Sequence, residues 1–228
     1  MLETIAFAAV ASTGLVIGSV AGAYWRVPQG FSATALAFAA GALTAALAFE
    51  LFAEEKHESL IIASVGLVAG ATVFIVLDAS LERRLPKDKA AGFALLAAVT
   101  LDGIPENLAL GVTLAEEGSV ALLAAIFVSN LAESLGGAAE MRQGGDQPRT
   151  AILLWTVTGV LLAGAVILGR MFGTAGGAEG FLLAFAGGAV LASIVDTLAP
   201  EAYREGGPYV AFATVAGFLL SFLLAASD

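Results

Sequence analysis

Ala98–Glu140 reads AVTLDGIPENLALGVTLAEEGSVALLAAIFVSNLAESLGGAAE. Two apolar segments run through this stretch, each long enough to cross a bilayer. Yet Asp102, Glu106, Asn107, Ser129, Asn130 and Glu133 fall in their interiors. A carboxylate at the bilayer centre costs ~2.5–3.5 kcal/mol even on the lenient insertion scale. Asp102, Glu106 and Glu133 together demand a compensating partner, and the rest of the chain reads as the housing of that group.

The surrounding composition fixes the class. The chain has 228 residues, 59% hydrophobic and 13% charged, with a mean hydropathy of +0.91. A soluble domain of this length could not hide so much apolar surface, so the expected fold is an all-α polytopic membrane protein. Residues 1–228 then form a single transmembrane domain with the lipid bilayer as its solvent. The 27 glycines predict close helix–helix approach, with Gly136 and Gly137 as one such place. The absence of cysteine excludes disulfides, thiolate metal sites and cysteine nucleophiles. A net charge of −10 disfavours nucleic acid and draws cations to any acidic mouth. Met1–Ala21 lacks the basic start of a cleavable signal peptide and is expected to be a retained first span.

Apolar runs punctuated by Gly, Pro and charges predict eight transmembrane helices, near 4–25, 31–53, 60–80, 90–115, 118–141, 149–172, 178–200 and 207–226. Only Glu116, Glu117 and Gly118 mark the turn between the fourth and fifth. Arg26, Arg83, Arg84, Lys87, Lys89, Arg142, Arg149 and Arg204 fall after odd-numbered spans, whereas the opposite side holds Lys56 and Arg170. This asymmetry predicts that both termini are extracytoplasmic. Ala37–Glu54, AFAAGALTAALAFELFAE, aligns without gaps on Ala184–Glu201, AFAGGAVLASIVDTLAPE, with eight identities in eighteen positions. The two segments lie in spans two and seven, an odd number of crossings apart, so they run in opposite directions. An inverted repeat of this kind places a binding site at the midplane in many secondary transporters.

Asp102 and Glu106 are four residues apart and share one helix face, which Thr113 and Glu117 extend. Pro105 between them has no N–H, so the carbonyl of Leu101 loses its helical donor. In a bilayer such a break needs protein, water or an ion beside it. Asn130, Glu133 and Glu140 form a matching stripe on span five, with Ser129 beside it. If spans four and five pack antiparallel, three carboxylates, an amide and a hydroxyl surround one point. No Lys or Arg lies inside a span, since Arg142 and Arg170 sit at span ends. Two states remain for the acids: protonated, or ligating a cation. All-oxygen donors suit hard or borderline divalent ions.

At these residues the chain resembles the ZIP (Zrt/Irt-like) family of divalent metal-ion transporters, which carries a His-Asn-x-Pro-Glu-Gly type motif in its fourth helix. Asp102-Gly103-Ile104-Pro105-Glu106-Asn107 occupies that motif, and Ser129-Asn130-Leu131-Ala132-Glu133-Ser134 its counterpart in the fifth helix. The resemblance implies a 3+2+3 arrangement, with helices 1–3 and 6–8 flanking helices 4 and 5 and the metal site between the latter. It also implies an elevator-like movement of helices one, four, five and six against two, three, seven and eight. The departures are specific. Asp102 replaces the family's histidine, Gly103 its Asn, Asn107 its Gly, and Ala132 stands where the fifth helix often has Pro. Span six, Ala151–Phe172, has no acid to complete a second metal site. One site built on Asp102, Glu106, Asn130 and Glu133 is expected, flanked by Asn107 and Ser129. Zn2+ is the cargo the family implies; with no histidine, Mn2+, Fe2+, Co2+ or Cd2+ fit as well.

Glu50 and Asp196 near the ends of spans two and seven, with Glu140, read as pathway carboxylates or as headgroup-facing residues. Asp78, beside Glu82-Arg83-Arg84, reads as a solvated helix end. His57, in Glu54-Glu55-Lys56-His57-Glu58, reads as a surface-loop residue. Thr156, Thr158, Trp25 and Trp155 read as interface or packing residues. No ATP-binding loop or nucleotide signature is present. The expectation is a non-enzymatic permease of the plasma membrane, moving divalent cations by alternating access, and compatible with a homodimer. Competing readings are an intramembrane metal-dependent hydrolase with Glu106 or Glu133 as general base, and a ZIP-like relative that no longer transports.

Overall fold

A computed structural model describes residues 1–52, 60–84, 91–174 and 179–226, apart from the side chains of 50–52, 82, 84 and 91–95. The side chain of Glu50 and all of His57 lie outside the described residues. The long Ala-, Leu- and Val-rich runs form α1 (Leu2–Tyr24), α2 (Gln29–Phe52), α3 (Leu60–Arg84), α4 (Ala91–Thr113), α5 (Val120–Gln143) and α6 (Pro148–Gly173). Then α7 (Glu179–Ser193) passes through a π-helical turn (Ile194–Leu198) into α8 (Ala199–Gly206), and a 3-10 turn (Pro208–Val210) leads to α9 (Ala211–Ala225).

Among the described residues the architecture is all-α, with seven helical stretches long and apolar enough to cross a membrane. Span seven is longer than the sequence suggests, since α7, the π turn and α8 make one 28-residue path from Glu179 to Gly206. The eighth expected span, α4, folds as a 23-residue helix, with its side chains described from Leu96 on. Asp102, Pro105, Glu106 and Asn107 interrupt its otherwise apolar run.

Chain chemistry sets the ends. Between α4 and α5 the chain turns at Leu114–Glu117, and Gly118 takes a φ of +77°, a region that favours glycine. Ser119 then caps α5, its hydroxyl accepting from the amide of Leu122 at 3.0 Å. Ser119→Ala should cost about 1 kcal/mol of stability, read as a lower midpoint of thermal unfolding in detergent. Pro148 opens α6 at a position where its missing N–H costs nothing. At the end of α8, Gly207 turns the chain with a φ of +69°.

Packing is organised by helix pairs. The most extensive are α1 with α5, α3 with α7, α2 with α9, and α4 with α6; α1 also packs on α6. Contacts of α2 with α5 and of α4 with α7 are smaller, and α4 meets α5 along a short line. Leu43 and Leu47 of α2, Leu110 of α4, Leu122 and Ile126 of α5, and Leu183 and Val190 of α7 fill the centre. By contrast α3 and α9 turn Ile61, Val65, Val68, Ile75, Phe212, Val215 and Leu223 outward, an apolar perimeter suited to lipid.

Glycines make the tight pairs. A Cβ added at Gly14, Gly18 or Gly22 of α1 would strike the backbone of α5, at Phe127, Leu131 and Leu135. Gly111 and Gly169 seat α4 against α6 in the same way. Across α2 and α9, Gly41 faces the carbonyl of Thr214 and Gly217 that of Phe38. Across α7 and α3, Gly188 faces the carbonyl of Leu67 and Gly70 that of Phe185. Gly41 and Gly188, Phe38 and Phe185, Leu67 and Thr214, and Gly70 and Gly217 are each 147 residues apart. The expected approach at Gly136 is absent: a Cβ there would meet only Ser32, at 4.0 Å. Small residues on α5 matter less than those on the helix that packs against it.

Candidate functional site

The six residues singled out in the centre of the sequence are gathered from α4 and α5, and all but Glu133 are almost wholly buried. Glu106 is 1% exposed and Asp102 5%. Glu106 is within electrostatic reach of both Glu133 and Asp102, and Glu133 within reach of Asp102. No Lys or Arg among the described residues comes within salt-bridge distance of these three carboxylates.

The polar neighbours are fixed by bonds that leave acceptors facing one another. Asn107 donates its amide to the carbonyl of Gly103 at 2.9 Å, one helical turn back. Asn130 donates to the carbonyl of Ala11 at 2.9 Å, tying α5 to α1. A backbone carbonyl can only accept, so each amide nitrogen is oriented and each Oδ1 turned away. Ser129 donates to Oε1 of Glu133 at 2.8 Å, and Ser134 to the carbonyl of Asn130 at 2.7 Å. What is left is a set of buried oxygens with no hydrogen-bond partner: both of Glu106, Oδ1 of Asn107, Oδ1 of Asn130 and Oε2 of Glu133. All five are acceptors unless a carboxyl carries a proton. A cluster of buried acceptors with no donor is unstable alone and calls for protons or a cation.

The convergence is looser than the sequence suggests. Among the described residues, no three acidic or imidazole side chains stand close enough to hold a metal ion between them. The carboxylates come from helices that touch only along a short line. Asp102 leans to the opposite side, towards α7: Thr197 in the π turn donates to its Oδ2 at 3.3 Å. Ser193, one turn before, is 3.3 Å from the hydroxyl of Thr197.

The pathway residues separate. Glu140 and Asp196 are both exposed, and Asp78 is half-buried. Asp78 and Asp196 lie within electrostatic reach of Asp102. Glu201 of α8, half-buried, lies within reach of both Glu133 and Glu140, so it links the interior acid to the exposed one. Of the remaining residues, Thr156 donates to the carbonyl of Ile152 at 2.7 Å, Thr158 is buried, and Trp155 is wholly buried beside Leu15, Val99 and Leu162. Trp155 is therefore a packing residue and not an interfacial one, whereas Trp25 is exposed at the end of α1.

Sequence reasoning overlooked Ser193, Thr197 and Glu201. Serine and threonine four residues apart followed by Pro200 was the available signal. Pro200 cannot donate to the carbonyl of Asp196, and Ala199 instead reaches back to Ile194, making the wider turn. No protein-family model and no curated protein matches this chain.

Proposed function

We propose that this chain is a ZIP-like permease for divalent metal cations, lodged in the plasma membrane with both termini outside. The observation that carries the reading is the set of buried acceptor oxygens of Glu106, Asn107, Asn130 and Glu133, unmatched by any basic side chain among the described residues. Hard or borderline divalent ions are the cargo that such donors favour. Asp102 and the carbonyl of Leu101, freed by Pro105, add oxygens one turn away.

Two further features support transport over static binding. The separation of 147 residues that relates Gly41 to Gly188 and Gly70 to Gly217 also relates Gly22 to Gly169. Those last two face the carbonyls of Leu135 and Leu108, which are 27 residues apart, as are Glu133 and Glu106. A two-fold that exchanges α1–α3 with α6, α7 and α9 would thus exchange α4 with α5, and Glu106 with Glu133. That is the 3+2+3 inverted repeat with its site on the axis. The glycine seats moreover pair α1 with α5, α4 with α6, α2 with α9 and α3 with α7, and α1 packs on α6 to join the first two pairs. None of these seats bridges α2 to α5 or α4 to α7, the contacts along which an elevator-like movement would run.

Uptake by liposomes containing the purified protein tests the reading. Zn2+, Mn2+ and Cd2+ should compete for one saturable flux, and Asp102→Ala or Glu133→Ala should lower it at least tenfold. Acidifying the lumen and bath together should slow the flux, because protons compete for the same carboxylates. Asp102→His should shift preference towards Zn2+, since imidazole is the softer ligand. Flux unchanged in both alanine variants would falsify the proposal. Turnover of a lipid or peptide without ion flux would favour the hydrolase, and a protein that takes up no Zn2+ or Mn2+ at saturation the non-transporting relative.

A further inference from the structure

Hydrogen bonds between helices are unevenly shared out. Among the described residues, Ser12 donates to the carbonyl of Gly159 and Arg170 to the hydroxyl of Thr4, both joining α1 to α6. Asn130 donates to Ala11, Ser134 to Gly14, and Arg142 to the carbonyl of Trp25, all joining α5 to α1 or its last residue. Each of these lies within the group of α1, α4, α5 and α6. Across to the other group, Asp102 meets Thr197 at 3.3 Å and the hydroxyl of Ser193 beside it.

Thr197 is built to make and break this bond. Its hydroxyl has one proton and three partners within reach: the carbonyl of Ser193 at 2.6 Å, Oδ2 of Asp102 at 3.3 Å and the hydroxyl of Ser193 at 3.3 Å. A hydroxyl proton rotates to suit its surroundings. Turned to Asp102, it forms a long, weak, charge-assisted bond between the two groups. Turned to Ser193, it forms a short bond within its own helix and offers Asp102 only lone pairs, which repel a carboxylate. A cation on Asp102 removes that repulsion and claims the oxygen. The π turn holds the hydroxyl there, and such turns concentrate at functional sites. At the repeat-related position, 147 residues earlier, stands Glu50, so only one half of the chain has a hydroxyl here.

We propose that Thr197 is a positioning residue that latches the two helix groups through Asp102, and that a divalent cation on Asp102 releases the latch. The idea rests on the permease reading. It explains how a carrier could hold still until loaded: the cation competes with the latch for the same oxygen, so binding and release are linked.

The test uses full-length protein with spin labels at Gln147→Cys and Tyr209→Cys, exposed positions on opposite groups in a chain with no native cysteine. Electron-resonance distances are taken with and without Zn2+, and Zn2+ affinity is measured by calorimetry. In the parent, Zn2+ should shift the distance distribution. Thr197→Val, and Thr197→Ala as a second removal of the hydroxyl, should show the shifted distribution without Zn2+ and bind Zn2+ about two- to fivefold more tightly, the worth of one weak hydrogen bond. Thr197→Ser should restore the parental distribution. Val and Ala variants that match the parent in both distribution and affinity overturn the latch while the permease stands. A parent that binds no Zn2+ overturns the permease reading, and the latch with it.

Discussion

Glu106→Gln should abolish divalent-cation uptake and leave the protein at least as stable as its parent. The side chain is 1% exposed, and neither carboxylate oxygen has a hydrogen-bond partner. If Glu106 were a structural residue, its replacement would break a bond and lower stability. It makes no such bond, and it stands within electrostatic reach of two other carboxylates. A neutral amide of the same shape removes that repulsion, and relief of an unpaired buried polar group is worth about 1–3 kcal/mol. Uptake, in contrast, loses an anionic ligand that glutamine cannot replace, so flux should fall by about a hundredfold, the effect of roughly 2.7 kcal/mol. Thermal unfolding and liposome flux on the same preparation decide the matter. A destabilised but still active variant would sink the assignment. Opposite signs for stability and activity are the expected mark of a site whose strain serves function.

Gly41→Ala and Gly188→Ala should each cost about 3 kcal/mol or more, and by similar amounts. Each glycine lets a neighbouring carbonyl occupy the space of a Cβ, Thr214 in one case and Leu67 in the other. A backbone atom cannot swing aside as a side chain can, so the two helices must separate. Overpacking typically costs 1–3 kcal/mol, and a displaced backbone belongs at or above the upper end. Gly164 in α6 and Gly30 in α2 provide controls, since nothing lies within 4 Å of a Cβ at either. Alanine there should be neutral or stabilising by up to ~1 kcal/mol, from helix propensity. Unfolding midpoints of the four variants test both claims. A large effect at Gly41 with none at Gly188 would mean that the repeat is only a sequence echo.

The sequence made some of this plain and concealed the rest for a physical reason. Composition and hydropathy are properties of single segments, so helix number and limits could be read from apolar runs, Gly118 and the prolines. The acids in α4 and α5 were equally visible, because a charged residue in an apolar run is conspicuous without reference to a partner. Seats and latches, however, belong to pairs of helices. Gly136 looked as suited to close approach as Gly18, and only the register of α1 on α5 makes Gly18 the contact. Likewise Thr197 is one hydroxyl among many until the π turn brings it to Asp102. Glu140 and Asp196 carried the right chemistry for a buried path but face outward. Glu201, by contrast, was noticed only as the last match of a repeat, although it is the acid that links inside to outside.

The acids in the middle of α4 have a consequence for how the protein is made. In a helix bearing Asp102, Glu106 and Asn107, the polar groups offset part of what the apolar residues gain from lipid. Its interior oxygens become tolerable only once other helices surround them. Just six residues, Leu114–Ser119, join it to α5. The natural unit of membrane entry is therefore the α4–α5 hairpin, with α6 and α7 arriving later to enclose α4. The buried acids and amide of α4 are thus the groups that favour biogenesis by pairs.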